Sequence, residues 1–167
     1  MRNTAMPKSR PRQGKAARPR SRRHSVPARG PPYKPLAFFV VGIGASAGGL
    51  EACRTLARAM PAGSGMAFIL VQHLDPTHES MLVDLLAGHT VLTVREATDG
   101  MPIEREYLYV IPPGTYLSVS NGALHLSRPQ ARQGARLPFD FLLHSLAADR
   151  GAHAVCVILS GTGSDGS

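Results

Sequence analysis

The chain has 167 residues and a formal charge of +8, enough length for one domain whose core needs no disulfide or metal staple. Its longest apolar stretch, LAFFVVGIGASAGGL, is short for a bilayer crossing and half glycine, alanine and serine, and the basic N-terminus lacks the apolar core of a secretory signal. Cys53 and Cys156 stand in apolar surroundings without CxxC or ligand spacing, so they are expected as buried, reduced thiols in a cytoplasmic setting.

The charge is unevenly placed. Residues 1–34 hold 11 of the 19 Lys+Arg and none of the 11 acids, so the remainder carries 8 basic against 11 acidic groups, a balance of −3. Residues 1–35, rich in Arg, Pro and Ser, cannot bury enough apolar surface to offset chain entropy and are expected to be a disordered basic tail. An arm for nucleic acid or another anionic partner is one reading. A solvated extension is the other, and it is favoured because no aromatic residue interleaves the arginines to stack on bases.

From residue 36 the pattern becomes that of a folded domain. LAFFVVGI (36–43) reads as a strand buried on both faces. After a small-residue loop, GLEACRTLARAMP has Leu50, Cys53, Leu56 or Ala57, and Met60 at helical spacing, with Pro61 closing it. MAFILVQ (66–72) is a second buried strand, SMLVDLLAG a helix ending at Gly88, and TVLTV (90–94) a third strand. YLYVI-PPG-TYLSVS-NG-ALHLS alternates apolar and polar residues around Asn121-Gly122, a strong hairpin signal, and is expected as an antiparallel edge. PFDFLLHSLAADRG returns to helical spacing between Pro138 and Gly151. AVCVILS (154–160) reads as another buried strand, followed by a second glycine loop, GTGSDGS. The alternation of strand and helix predicts a doubly wound, mostly parallel sheet with an antiparallel hairpin edge, a Rossmann-like three-layer α/β domain. A strand and glycine loop ought to lead into a covering helix, so the domain is expected to be incomplete at its C-terminus.

Two chemistries compete for the loop after the first strand. Gly42-x-Gly44-x-x-Ala47 is a permitted variant of the dinucleotide fingerprint. The acid that should end the second strand and bind the ribose is missing, however: Gln72 and His73 stand there, and no Walker lysine follows the loop. The same residues also spell Gly44-x-Ser46-x-Gly48, the nucleophile-elbow pattern. A sharp turn raises the serine Oγ, small neighbours admit the substrate carbonyl, and the free N–H of Ala47 can stabilise an oxyanion. The plainer alternative is that Ser46 caps the following helix.

In a doubly wound sheet the reactive crevice lies at the carboxyl ends of the strands. Ser46 follows the first strand, His73 the second and Asp165 the last, so all three are expected on one rim. There His73 would take the Ser46 proton while Asp165 fixes the imidazole tautomer. Each residue also has a structural alternative; Asp165, for example, suits a turn after Gly163. HLDPTH offers two histidines, but no third or fourth ligand follows at a recognised spacing, so neither a metal nor a cofactor is expected.

GIGASAGGLEA, VQHLDPTHESML, YVIPPGTYLSV, LPFDFLLHSLA and VILSGTGSDG resemble, in order and spacing, the catalytic domain of the CheB-type protein-glutamate methylesterases. The likeness runs from about residue 37 to the last residue, and its wording is nearest the branch often fused to methyltransferase and sensor modules. The resemblance implies a serine hydrolase that removes methyl esters from glutamate side chains of chemoreceptors, releasing methanol, in chemotaxis-like signal adaptation; glutamine deamidation passes through the same acyl-enzyme. It implies Ser46 as nucleophile, His73 as general base and acid, Asp165 as carboxylate, and the backbone N–H groups of Ala47 and Thr162 as oxyanion donors. The family usually has Thr where this chain has Ala47. A receiver domain is not seen before the hydrolase, and the family's helix and strand after the aspartate are missing, so 36–167 is expected to be a truncated catalytic domain. The alternative is a non-catalytic fragment or interaction module of the same fold.

Overall fold

The computed structural model describes residues 37–46, 49–72, 81–128 and 137–159. The first strand, β1 (Val40–Ala45), is followed by α1 (Leu50–Ala59), β2 (Ala67–Gln72), α2 (Leu82–Ala87) and β3 (Thr93–Glu96). Next come β4 (Tyr107–Val110), the hairpin β5 (Tyr116–Ser120) and β6 (Ala123–Ser127), then α3 (Pro138–Arg150) and, after a 3₁₀ turn at Gly151–His153, β7 (Ala154–Ile158).

Five strands form one all-parallel sheet in the order β3-β4-β2-β1-β7. The inner strands are buried on both faces, which is why they read as unbroken apolar runs. Val40, Ala67, Ile69, Val71 and Tyr109 pack with α3 residues Phe139, Leu142 and Leu146 and with the hairpin. Their alternates Val41, Ile43, Phe68, Leu70, Leu108 and Val110 pack with Cys53, Ala57, Leu82 and Leu86 of α1 and α2. The sheet is thus the middle of three layers.

Chain direction locates the site. From β1 the chain leaves toward β2 through α1 on one face; from β4 it returns through α3 on the other face to β7, on β1's opposite side. The topological switch therefore lies between β1 and β7, and ligands of such sheets bind at the carboxyl ends of the strands flanking it. Pairing of Gly44 with Ile158 and Val71, and of Ala45 with Gln72, brings three strand ends level at that rim.

Several expectations need correction. YLYV does not join the hairpin: β4 inserts parallel between β3 and β2. Its tyrosines mimic polar alternation, yet Tyr109 is buried, with its hydroxyl donating to the Pro102 carbonyl (3.1 Å) and accepting from Glu104 N–H (2.9 Å). The hairpin is antiparallel as expected, with Asn121 and Gly122 at positive φ, but makes its own two-stranded sheet against α3. Ser145 accepts from Val119 N–H (3.0 Å) and Asp149 from Asn121 N–H (2.7 Å), so α3 holds it. The third strand forms at 93–96, not 90–94. The last strand forms but is not buried: as the end strand of the sheet among the described residues, it leaves Val155, Cys156 and Ile158 exposed, Ile158 by 56%. No helix among the described residues is long and apolar enough to cross a membrane.

Candidate active site

Ser46 follows directly on β1, at the switch point. Its carbonyl accepts from Gly49 N–H at 2.8 Å, which ties the end of β1 to the start of α1. The first helical bond then runs from Cys53 N–H to the Gly49 carbonyl (2.9 Å). Gly49, not Ser46, occupies the N-cap position, and α1 has no side-chain cap. Ser46 thus lies between the end of β1 and the N-cap residue of α1, the place where a nucleophile elbow puts its serine.

The same geometry argues against a phosphate cradle. Gly42 and Gly44 lie inside β1, in register with Ile69 and Val71 on one side and with Cys156 and Ile158 on the other. Their backbone groups serve the sheet ladder, and the Gly44 carbonyl also accepts from Leu159 N–H (2.8 Å). What the two glycines admit is α3. A Cβ on Gly42 would stand 3.2 Å from Leu146 Cδ2, and one on Gly44 would overlap the Phe139 ring.

One residue not singled out from the pattern enters the site. Gln72 ends β2 beside Ala45, is 6% exposed, and donates from Nε2 to the Ser46 carbonyl at 3.5 Å. The signal was available: it is the one polar residue of an otherwise apolar strand, immediately before His73.

Burial pushes the Cys53 thiol up to about 11, and partial desolvation raises that of Cys156. Cys53 is buried as expected, whereas Cys156 is exposed on β7 because no strand or helix among the described residues covers it. Among the described residues no three His, Cys, Asp or Glu side chains converge as a metal site. His73, Asp165, Ala47 and Thr162 lie outside the described residues, as does the tail.

Together, the parallel sheet, its covering helices and Ser46 at the switch point define a Rossmann-like α/β domain with a serine at its ligand-binding rim. The family model for CheB methylesterase matches residues 41–167. The chain belongs to the CheB methylesterase family. It is 39% identical over 133 residues to protein-glutamate methylesterase/protein-glutamine glutaminase 2 of Xanthomonas oryzae pv. oryzae, a match covering 76% of this chain and 36% of that protein. It is 34% identical over 131 residues to the protein of the corresponding name from Geobacillus kaustophilus, covering 76% and 38%. The chain thus spans little more than a third of the length of these relatives. Among solved structures, the Thermotoga maritima CheB methylesterase catalytic domain superposes with a TM-score of 0.71 at 29% identity, over 78% of this chain and 71% of that one.

Proposed function

We propose that this chain is a serine hydrolase that demethylates glutamate methyl esters on chemoreceptor-type proteins and deamidates glutamine at the same site. The observation that carries this reading is the position of Ser46: one residue past β1, at the switch point of the sheet, with its carbonyl accepting from Gly49 N–H just ahead of α1. Family membership and the names of the relatives supply the substrate class.

The register supports the remaining assignments. Gln72 pairs with Ala45, so His73 follows β2 as Ser46 follows β1, and the segment holding Thr162 and Asp165 follows β7 from the same rim. In the proposed reaction Ser46 Oγ attacks the ester carbonyl while His73 takes its proton, and the oxyanion is met by the backbone N–H groups of Ala47 and Thr162. Collapse returns that proton to the leaving oxygen, releasing methanol and leaving an acyl-enzyme. Water activated by His73 then frees the glutamate and restores Ser46. Asp165 holds the imidazole tautomer throughout. We assign 36–167 as the catalytic unit and 1–35 as a solvated basic tail, and we place the protein in the cytoplasm. No cofactor enters the scheme.

The test is active-site labelling: the full chain is treated with a fluorophosphonate and the modified residue is located by mass spectrometry. Labelling at Ser46, absent in Ser46→Ala at unchanged helix content, is expected. A cooperatively folded chain that takes no label supports the second reading, a non-catalytic fragment or interaction module, which the exposed apolar side chains of Val155 and Ile158 on β7 favour.

A further inference from the structure

Gln72 is an expensive residue for its position. Every other residue of β2 is apolar, and the strand is buried throughout. Counting along the strand, Gln72 falls on the side of Phe68 and Leu70, which faces α1 and α2, and so lies beneath the turn that joins β1 to α1. Its Nε2 reaches the Ser46 carbonyl, while its Oε1 is buried with no hydrogen-bond partner among the described residues. A buried amide oxygen without a donor has lost its water and gained nothing in return, so an apolar side chain of similar volume would suit folding better. The turn does not need Gln72 to close either, because Gly49 N–H already donates to the Ser46 carbonyl at 2.8 Å.

What the glutamine adds is a tie between strands. The Gly49 bond fixes the turn internally; the Gln72 bond fixes it to β2, the strand that leads directly into His73. We propose that Gln72 is a positioning residue, which sets the Ser46 turn against the end of β2 and so holds the nucleophile at working distance from the base that follows. This rests on Ser46 being the nucleophile. The tie acts through the Ser46 backbone, leaving the substrate's own binding contacts untouched.

The full chain and its Gln72→Met and Ser46→Ala variants are compared by the second-order rate of fluorophosphonate labelling, normalised to the folded fraction from circular dichroism, and by thermal melting. Misplacement of a reacting group by about 1 Å costs on the order of 100-fold in rate. Gln72→Met is therefore expected to label at least about 10-fold more slowly per folded molecule, while its melting temperature stays level or rises. A purely structural glutamine would give the opposite pattern, a lowered melting temperature with labelling per folded molecule unchanged. A smaller loss of rate, or a lowered melting temperature, overturns the positioning role and leaves Ser46 as the nucleophile. Label persisting in Ser46→Ala, or absent from the unmodified chain, overturns the assignment of Ser46 and this inference with it.

Discussion

Gly44 shows how tightly one side-chain position is specified. The Phe139 ring occupies the space where a Cβ would go, with Cγ at 2.8 Å, and the ring is buried under the first turn of α3. Forcing a methyl into a packed core costs about 1–3 kcal/mol, through displaced side chains and shifted backbone. Gly44→Ala is therefore expected to destabilise the chain by about that amount, read as a lower urea midpoint at unchanged slope. The added Phe139→Leu substitution, which removes the colliding ring, should recover part of the loss, and equal midpoints for single and double variants would refute the packing explanation. Gly42-x-Gly44 also shows why the loop was ambiguous in the sequence. A helix approaching a strand and a pyrophosphate approaching a turn both ask for glycine, and what approaches depends on α3, far along the chain. Gln72 is half legible for a related reason: its polarity in an apolar strand shows in the sequence, but the Ser46 carbonyl it bonds lies on the neighbouring strand's end.

At the scale of elements, α3 does more than cover the sheet. The Asp149 carboxylate accepts from Asn121 N–H at 2.7 Å and Gly122 N–H at 3.3 Å, and pairs with the buried Arg150 Nε at 2.9 Å. One side chain thus pins the tip of the β5–β6 hairpin to the end of α3. Hydrogen bonds to a charged group contribute about 1.5–3 kcal/mol, so Asp149→Ala is expected to lower stability by about that much. Amide exchange at Asn121 and Gly122 should quicken more than exchange in β1 or β2; uniform quickening would mean that the carboxylate does not hold the hairpin locally. Element types were legible where backbone chemistry leaves a mark. Pro138 starts α3, Gly151 ends it at a φ of 52°, and Asn121-Gly122 turns the hairpin. Sheet membership was not legible. Tyr107 and Tyr109 made β4 look half-solvated, but it pairs on both sides, with β3 and β2, and the buried Tyr109 hydroxyl satisfies itself on Pro102 and Glu104. The apolar run of β7 implied burial on two faces, but apolar composition says nothing about whether neighbours are there to cover it.

Over the whole molecule, the two faces of one sheet form two separate cores, and each holds an ionisable group that resists losing its proton. Cys53 belongs to the α1–α2 core and Tyr109 to the α3–hairpin core. Burial is the first cause in both cases: it pushes the Cys53 thiol from 9.0 up to about 11, and it raises the Tyr109 phenol above 10.0, with smaller contributions from Glu104 and Tyr107 partly opposed by Arg95 and by the hydrogen bond from Glu104. The sign follows from proton counting. Below pH 9.0 the Cys53 thiol is protonated in both folded and unfolded chains, so its contribution is fully present. Between pH 9.0 and about 11 the unfolded chain releases that proton while the folded chain keeps it, so the unfolded state gains and stability falls as pH rises. Tyr109 extends the same downward slope from 10.0 upward. Urea midpoints should therefore fall steadily above pH 9.0. Cys53→Ala is expected to flatten the first part of the decline, and Tyr109→Phe the later part, whatever each costs at neutral pH. The two corrections should add, because the groups sit on opposite faces of the sheet and share no partner. A decline of unchanged slope in the double variant would show that alkaline loss of structure begins elsewhere than in the two cores.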